Sequence, residues 1–552
     1  MQRPPRIALG PLPKRRRADG RDAGWPLVLA LAALWAVLPA LPALLAGKLI
    51  GSPWTDLYPS AWGLAWFADH QPGLPTLATS LGAPDGQPFY YSSPIHGWVG
   101  TPLVAFFGPV VAWNVTVVLA RFATVATAYG AARAWGLGLP GGLLAALAWG
   151  ASPFFHGYAA EGIVEGLDGW ALAWMLWALA GAPMTGRAAH DGKASLRRVV
   201  RGFHGGLALA VTIVSSWYLG IVGCALVFAM AVGSLVVGRS GLGLRAGLAL
   251  VTGVVLALPF ALTFHDTMAG AAPLPDTVRA AMGTVLSVRT PGWLAPHPFA
   301  MTTWVGLSLP LLALPSAWKH PRVALVTLAF AVLSLGRGPW YDLPVLEAVR
   351  FPYRWHAGTL LGLAWLAGRT VDDLRIRAVT DGGAWRFVGA LALVPWIEGY
   401  VGSPIPPVLP SADAAIPAIY EGVRGPLLLE IPGPVAMAPG TVNRSRPRAR
   451  YLLWAQTLHG AASPWKPDWN GLAAPAPTDA WLDPWRSWDP LLHKTPVAPD
   501  LRVARDRGVT QVMLHRDELG DARSRTLLEA LTASGATVRA DDGTQVLVDL
   551  PR

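Results

Sequence analysis

Cysteine and charge are what this sequence has least of. A single cysteine, Cys224, stands in 552 residues, which excludes an intramolecular disulfide and a cysteine-built metal centre. Charged side chains make up 14% of the chain, where soluble domains carry about a quarter. With 53% hydrophobic residues and a mean hydropathy of +0.39, most of the chain is not dissolved in water. The signatures of familiar soluble enzymes are missing too. No Gly-rich run ends in GK[ST], no GxGxxG opens a strand–helix unit, and there is no HExxH. The Gly-rich run 136-GLGLPGG-142 reads as a site of close helix packing. Acidic residues are also fewer than basic ones, leaving a net charge of +11. Such a balance can mark a nucleic-acid binder. Here the basic residues sit in short stretches between apolar segments, where orientation in a bilayer explains them, so nucleic acid is not an expected partner.

What the chain has instead is apolar length. Runs of about 20 apolar residues recur, enough for a helix to cross roughly 30 Å of hydrocarbon. In lipid only helices and closed barrels satisfy the backbone internally, and these runs do not alternate as barrel strands do. The expected fold is a polytopic α-helical membrane protein of about eleven spans. The basic run 14-KRRR-17 precedes the first apolar stretch, Trp25 to Ala46. That stretch is long for a signal peptide and no clear A-x-A cleavage site follows, so it reads as a signal anchor with residues 1–24 in the cytoplasm. Further spans are predicted at 108–132, 137–152, 168–182, 204–218, 219–238, 246–264, 299–317, 322–336, 355–371 and 386–402. Between the first two, 54-WTDLYPSAWGLAWFADH-70 has the aromatic spacing of an interfacial helix. Segment 95–107 reads as an interfacial or re-entrant lead-in. The 27 tryptophans suit belts at helix ends, and Cys224 reads as apolar filler.

Lysine and arginine test that count. With the N-terminus inside, the predicted cytoplasmic loops hold Arg133; Arg187, Lys193, Arg197, Arg198 and Arg201; Arg239 and Arg245; Lys319 and Arg322; and Arg369, Arg375, Arg377 and Arg386. The predicted outer loops hold fewer: Lys48, Arg279, Arg289, Arg337, Arg350 and Arg354. Counting 95–107 as a full span would put the 183–203 cluster outside. The multi-span part is therefore read as 25–402, in an inner or plasma membrane. From 403 to 552 charge and proline rise and no spanning run follows. Apolar strands at 426–431, 510–514 and 544–549, with a helical stretch from Asp517 to Ser534, predict a small extracytoplasmic α/β domain.

Ionisable groups near membrane depth are costly and are functional candidates by default. Four predicted outer loops supply them. Asp56 lies just past the first span; lost solvation among aromatic rings would raise its pKa and suit it to take a proton. Thr-Asp before a helical pattern is equally an N-cap. The second loop, 153-PFFHGYAAEGIVEGLDGW-170, gathers His156, Glu161, Glu165 and Asp168. Glu161 and Glu165 share a face if helical, which a cation or substrate between them would make tolerable; the bland reading is a solvated turn. His265-Asp266 opens the third loop, 265–298, as a base with its orienter or as a capping pair. The fourth, 337–355, holds Tyr341, Asp342, Glu347 and 350-RFPYRW-355. There Arg350 and Arg354 suit bidentate contact with phosphate or anchoring by snorkelling.

With these loops in place the chain resembles the GT-C superfamily of integral membrane glycosyltransferases and, more narrowly, the bacterial YfhO-related group. Such proteins carry an Asp soon after the first span, a second acidic group in the next outer loop, and often a terminal soluble domain. Asp56 matches the first position and the 161–168 cluster the second. The stretches 90-YYSSPIHGW-98, 350-RFPYRWHAGTLLGLAWLAG-368, 425-GPLLLEIP-432, 449-ARYLLWAQTLHGAASPW-465 and 507-RGVTQVMLHRDEL-519 look like those of the narrower group. The resemblance implies transfer of a sugar from a polyprenyl-phosphate-linked donor to an envelope glycan, lipid or protein acceptor outside the cytoplasm. Asp56 would act as general base or stabilise oxocarbenium-like charge. Glu161, Glu165, His265 and Asp266 would complete the catalytic set; His156, Arg350, Tyr353 and Arg354 would bind substrate, the arginines taking the donor phosphate. The second loop lacks the DxD pattern of oligosaccharyltransferase-like members, so neither a metal nor another cofactor is implied.

Two other classes stand beside this one. A transporter or flippase of lipid-linked sugars would show matching halves and mid-span charges, whereas charge here clusters at span ends. A non-catalytic scaffold for assembly of cell-surface polysaccharide would keep the fold without the reaction. The aromatic stretch 465-WKPDWNGLAAPAPTDAWLDPWRSWDP-490 would stack on sugar rings or pack the terminal domain onto the membrane.

Overall fold

A computed structural model describes residues 24–71, 73–74, 76–180, 192–238, 240–268, 303–343, 346, 349, 351–380, 391, 393–403, 405–433, 447–465, 480–490 and 495–551. Four described helices are long and apolar enough to cross a membrane: Gly24–Leu45, Pro94–Ala134, Trp217–Val236 and Gly241–Thr267. Of the shorter helices, Leu139–Gly150 and Gly169–Ala180 pack on Pro94–Ala134, while Ser308–Lys319 and Pro321–Leu333 pack on His356–Thr380. Large apolar side chains stay uncovered along these helices, with Phe106 81%, Val236 82% and Trp318 87% exposed. Water-soluble monomers rarely display such continuous apolar surface, and lipid removes its cost. The chain is a membrane protein.

Small residues let the helices approach closely. A Cβ on Gly206 would lie 2.5 Å from Thr252, and one on Gly253 would lie 2.7 Å from Leu209, locking Gly192–Ser215 against Ser240–Met268. Carboxylates at helix starts serve as caps. Asp372 accepts the Gly138 and Gly141 N–H groups ahead of Leu139–Gly150. Glu398 accepts Leu307 N–H at 2.7 Å and Ser308 N–H at 2.8 Å.

Segment 95–107 is helical. Pro94–Ala134 runs for 41 residues with a break at Gly108, φ +78°, where the left-handed region and the following Pro109 interrupt the hydrogen-bond ladder. Its first limb, 94–107, measures about 21 Å, short of a hydrocarbon core, and packs on Leu57–Asp69. The expectation that charge keeps to span ends fails in the second limb. Arg121 is 4% exposed there. It donates to the Trp35 carbonyl at 2.9 Å and to His156 Nδ1 at 3.2 Å, and its guanidinium lies 4.4 Å from the Trp35 ring centre.

Beyond Gly402 the chain returns to the first outer loop. Ser411–Ala412 pairs antiparallel with Leu49–Ile50, the Tyr58 hydroxyl donates to the Asp413 carbonyl at 3.1 Å, and Trp454 on Pro447–His459 enters the main core. A four-stranded sheet follows, in the order Leu428–Ile431, Gln511–His515, Gln545–Asp549, Thr537–Asp541; the first pair is parallel and the others antiparallel. Trp465, Trp485 and Trp488 are buried in its core with Ala83 of the first outer loop. These three rings of the aromatic stretch are packing residues, closed to sugar; 466–479 lie outside the described residues.

Orientation follows from the lysine and arginine count alone and is testable. In a Cys224→Ala background, Arg525→Cys is expected to react with an impermeant maleimide on intact spheroplasts, and Arg187→Cys only after permeabilisation. The opposite pattern overturns the inside–outside reading.

Candidate active site

Two glycines bring the first and second of the predicted outer loops together. Ser52 N–H donates to the Ala160 carbonyl at 2.8 Å, and Asp56 N–H to the Glu161 carbonyl at 3.2 Å. The Thr55 hydroxyl donates to that same carbonyl at 2.7 Å. Asp56, half-buried, opens the helix Leu57–Asp69 without capping it through its side chain. Glu161 ends the helix Pro153–Glu161 and is 6% exposed. Next comes Gly162 at φ +67°, where a Cβ would fall 2.6 Å from the Leu57 Cα. Opposite it, Gly51 has φ +131°. Gly162→Ala is therefore expected to cost roughly 2 kcal/mol, from a left-handed backbone and a main-chain clash. A thermal transition unchanged from wild type would show that the turns tolerate separation.

The next carboxylate is held by an arginine. Arg354 Nη1 lies 2.6 Å from Glu165 Oε1, with the two side chains 6% and 22% exposed. The guanidinium carbon is 3.9 Å from the Tyr218 ring centre, 4.7 Å from Phe351, 5.6 Å from Tyr158 and 5.8 Å from Tyr353. Nε donates to the Tyr353 hydroxyl at 3.4 Å, and Tyr353 is hydrogen-bonded to Tyr158. One carboxylate and several ring faces thus compensate a buried positive charge. An arginine so enclosed is engaged in orienting Glu165, the more exposed member of the pair.

Asp168 is fully engaged as well. It accepts from the Ser93 hydroxyl at 2.7 Å and from Trp170 Nε1 at 2.8 Å, and Ser93 also accepts His96 N–H at 3.2 Å. The motif 90-YYSSPIHGW-98 is thereby fastened to the second acidic loop. Beside it the Tyr91 hydroxyl is buried without a hydrogen-bond partner among the described residues; burial first, then the Asp168 and Glu165 carboxylates, push its pKa well above the usual phenol range.

The structure therefore joins Asp56, Glu161, Glu165, Tyr353 and Arg354, and does not bring every expected residue with them. His156 is fully buried. Its Nδ1 accepts from Arg121 and its Nε2–H donates to the Pro406 carbonyl at 3.2 Å, which fixes a neutral tautomer and leaves no nitrogen for a substrate. His265 and Asp266 stand at the exposed end of Ser240–Met268, 3.5 Å apart and 79% and 81% exposed. Arg350 lies outside the described residues. Tyr158, Tyr218 and Tyr91 belong to the site without having been singled out; Tyr91 and Tyr158 carried a signal, their places in the quoted stretches 90–98 and 153–170, and Tyr218 carried none. The described residues contain no group of three His, Cys, Asp or Glu able to hold a metal. A small cleft opens beside Phe154, lined by Ser152, Trp304, His356, Trp396 and Gly399 among others; none of the clustered acids lines it.

No protein-family profile and no curated protein matches the chain. Among solved structures the arabinofuranosyltransferase AftD from Mycobacteria is similar, with a TM-score of 0.61 at 15% identity over 96% of this chain and 40% of that one. This chain thus spans less than half of AftD. ArnT from Cupriavidus metallidurans, bound to undecaprenyl phosphate, aligns with a TM-score of 0.48 at 16% identity, over 96% of this chain and 98% of that one. The oligosaccharyltransferase AglB from Archaeoglobus fulgidus gives 0.48 at 12% identity, over 94% and 74%. The likeness to AftD, at 15% identity, shows a shared fold.

Proposed function

We propose that this protein transfers a sugar from a polyprenyl-phosphate-linked donor to an envelope glycan, lipid or protein on the extracytoplasmic side. The observation that carries the reading is the fastening of the Asp56 turn to the Glu161 turn through main-chain hydrogen bonds, on a fold shared with a glycosyltransferase. Asp56 takes the proton of an acceptor hydroxyl as that oxygen bonds to the anomeric carbon. The bond from the anomeric carbon to the phosphate oxygen breaks, and the lipid phosphate leaves with the electron pair. Glu165, oriented by Arg354, stabilises the positive charge that develops on the sugar ring, and Arg350 meets the leaving phosphate. The narrower likeness to the YfhO-related group rests on the sequence stretches quoted above.

Mass spectrometry of lipids and envelope glycans from a deletion strain tests the proposal. The expected result is a glycan lacking one kind of residue together with an accumulated lipid-linked sugar. Unchanged lipids and glycans would remove the reading. A scaffold would reproduce the glycan defect on deletion yet tolerate Asp56→Asn.

A further inference from the structure

Beside the acid cluster lies a group of side chains that this chemistry leaves unused. Tyr90 comes from the first outer loop, Trp217 from the start of Trp217–Val236, and Phe264 from the last turns of Ser240–Met268. Trp217 stacks on Phe264 with ring centres 4.8 Å apart; Tyr90 stands edge-on to Phe264 at 5.4 Å and lies 6.4 Å from Trp217. The Tyr90 hydroxyl, Trp217 Nε1 and the Ser215 hydroxyl are each buried with no hydrogen-bond partner among the described residues, as is the Tyr91 hydroxyl. Buried tyrosine and tryptophan ordinarily pair these groups. The orphans of Tyr90 and Trp217, whose rings meet, with those of Tyr91 and Ser215 close by in the chain, mark a place short of hydroxyl-bearing partners.

The nest is not sealed, because Trp217, Tyr218 and Phe264 are half-buried. It adjoins the ion pair: Tyr218, the neighbour of Trp217, lies under the Arg354 guanidinium. The chemistry of the nest selects its ligand. A hydrocarbon chain would leave every orphan unpaired, and a phosphate calls for a cation rather than for phenol and indole. A sugar ring offers apolar C–H faces to the rings and hydroxyls to their polar edges. We propose that Tyr90, Tyr91, Ser215 and Trp217 form the subsite that reads the hydroxyls of the donor's sugar. The inference rests on the transferase reading.

The test uses the full chain in nanodiscs and measures binding of undecaprenyl phosphate alone and of undecaprenyl-phosphate-linked glucose, mannose and arabinofuranose. At least one glycolipid is expected to bind about tenfold tighter than the bare lipid phosphate, the worth of one or two well-made hydrogen bonds. Tyr90→Phe and Trp217→Phe, which keep a ring in place, are each expected to remove most of that advantage while bare-lipid affinity stays unchanged. Tyr90→Phe should not lower the thermal transition of the ligand-free protein, since it deletes only an unpaired polar group, whereas Trp217→Phe also loses ring surface stacked on Phe264. The subsite is overturned if no glycolipid outbinds undecaprenyl phosphate, or if the advantage survives both substitutions. If none of the four lipids binds, the transferase reading itself falls.

Discussion

Asp56→Asn is expected to lower sugar transfer by a factor of about 10² to 10⁴, the usual worth of a positioned general base, while the protein stays folded in the membrane. The reasons are local. Asparagine matches aspartate in size and keeps the backbone N–H that donates to the Glu161 carbonyl; the turn is held by that bond and by Thr55, and the Asp56 side chain does not cap its helix. What the amide cannot do is accept a proton. Initial rates from a lipid-linked donor in proteoliposomes, with melting in the same detergent as control, decide the matter. Activity above a tenth of wild type removes Asp56 as the base.

The second large effect falls on stability. Arg354→Ala would leave Glu165 beside three tyrosines and a phenylalanine with no counter-charge. Breaking a buried pair in this way costs about 3–5 kcal/mol, and the partial exposure of Glu165, 22%, sets the lower end as the expectation. Arg354→Lys should recover little, because an ammonium neither forks onto the carboxylate nor stacks on the Tyr218 ring as a planar guanidinium does. The double change Arg354→Gln with Glu165→Gln should be less damaging than Arg354→Ala alone, since neither charge is then left unpaired. Thermal unfolding of the four proteins in one detergent checks the series. Arg354→Ala melting with wild type would show that the pair holds nothing.

These expectations depend on contacts that the sequence shows unevenly. The apolar runs were legible because hydrocarbon imposes length and composition on each helix separately. Asp56 and the 161–168 acids were legible as exceptions to that composition. The pairing of Glu165 with Arg354 joins residues 189 positions apart, and no local pattern encodes such a meeting. Arg121 was missed because one cation in a long apolar run does not break it, and its partners are a carbonyl, a neutral imidazole and a ring face. Thr537–Asp541 escaped notice since an edge strand written TVRAD lacks an apolar face. Composition changes at 403, yet packing continues past it, as strand Ser411–Ala412 joins Leu49–Ile50.

That last pairing governs when the first loop can be completed. Tyr58 waits for an acceptor on Asp413, 355 positions later, and ribosomes adding roughly 5–20 residues per second need on the order of half a minute to deliver it. Until then the hairpin bearing the proposed base lacks its clasp, however many helices are already in the bilayer. A nascent chain therefore carries that turn unfastened until a loop enclosing nearly the whole membrane part closes on it.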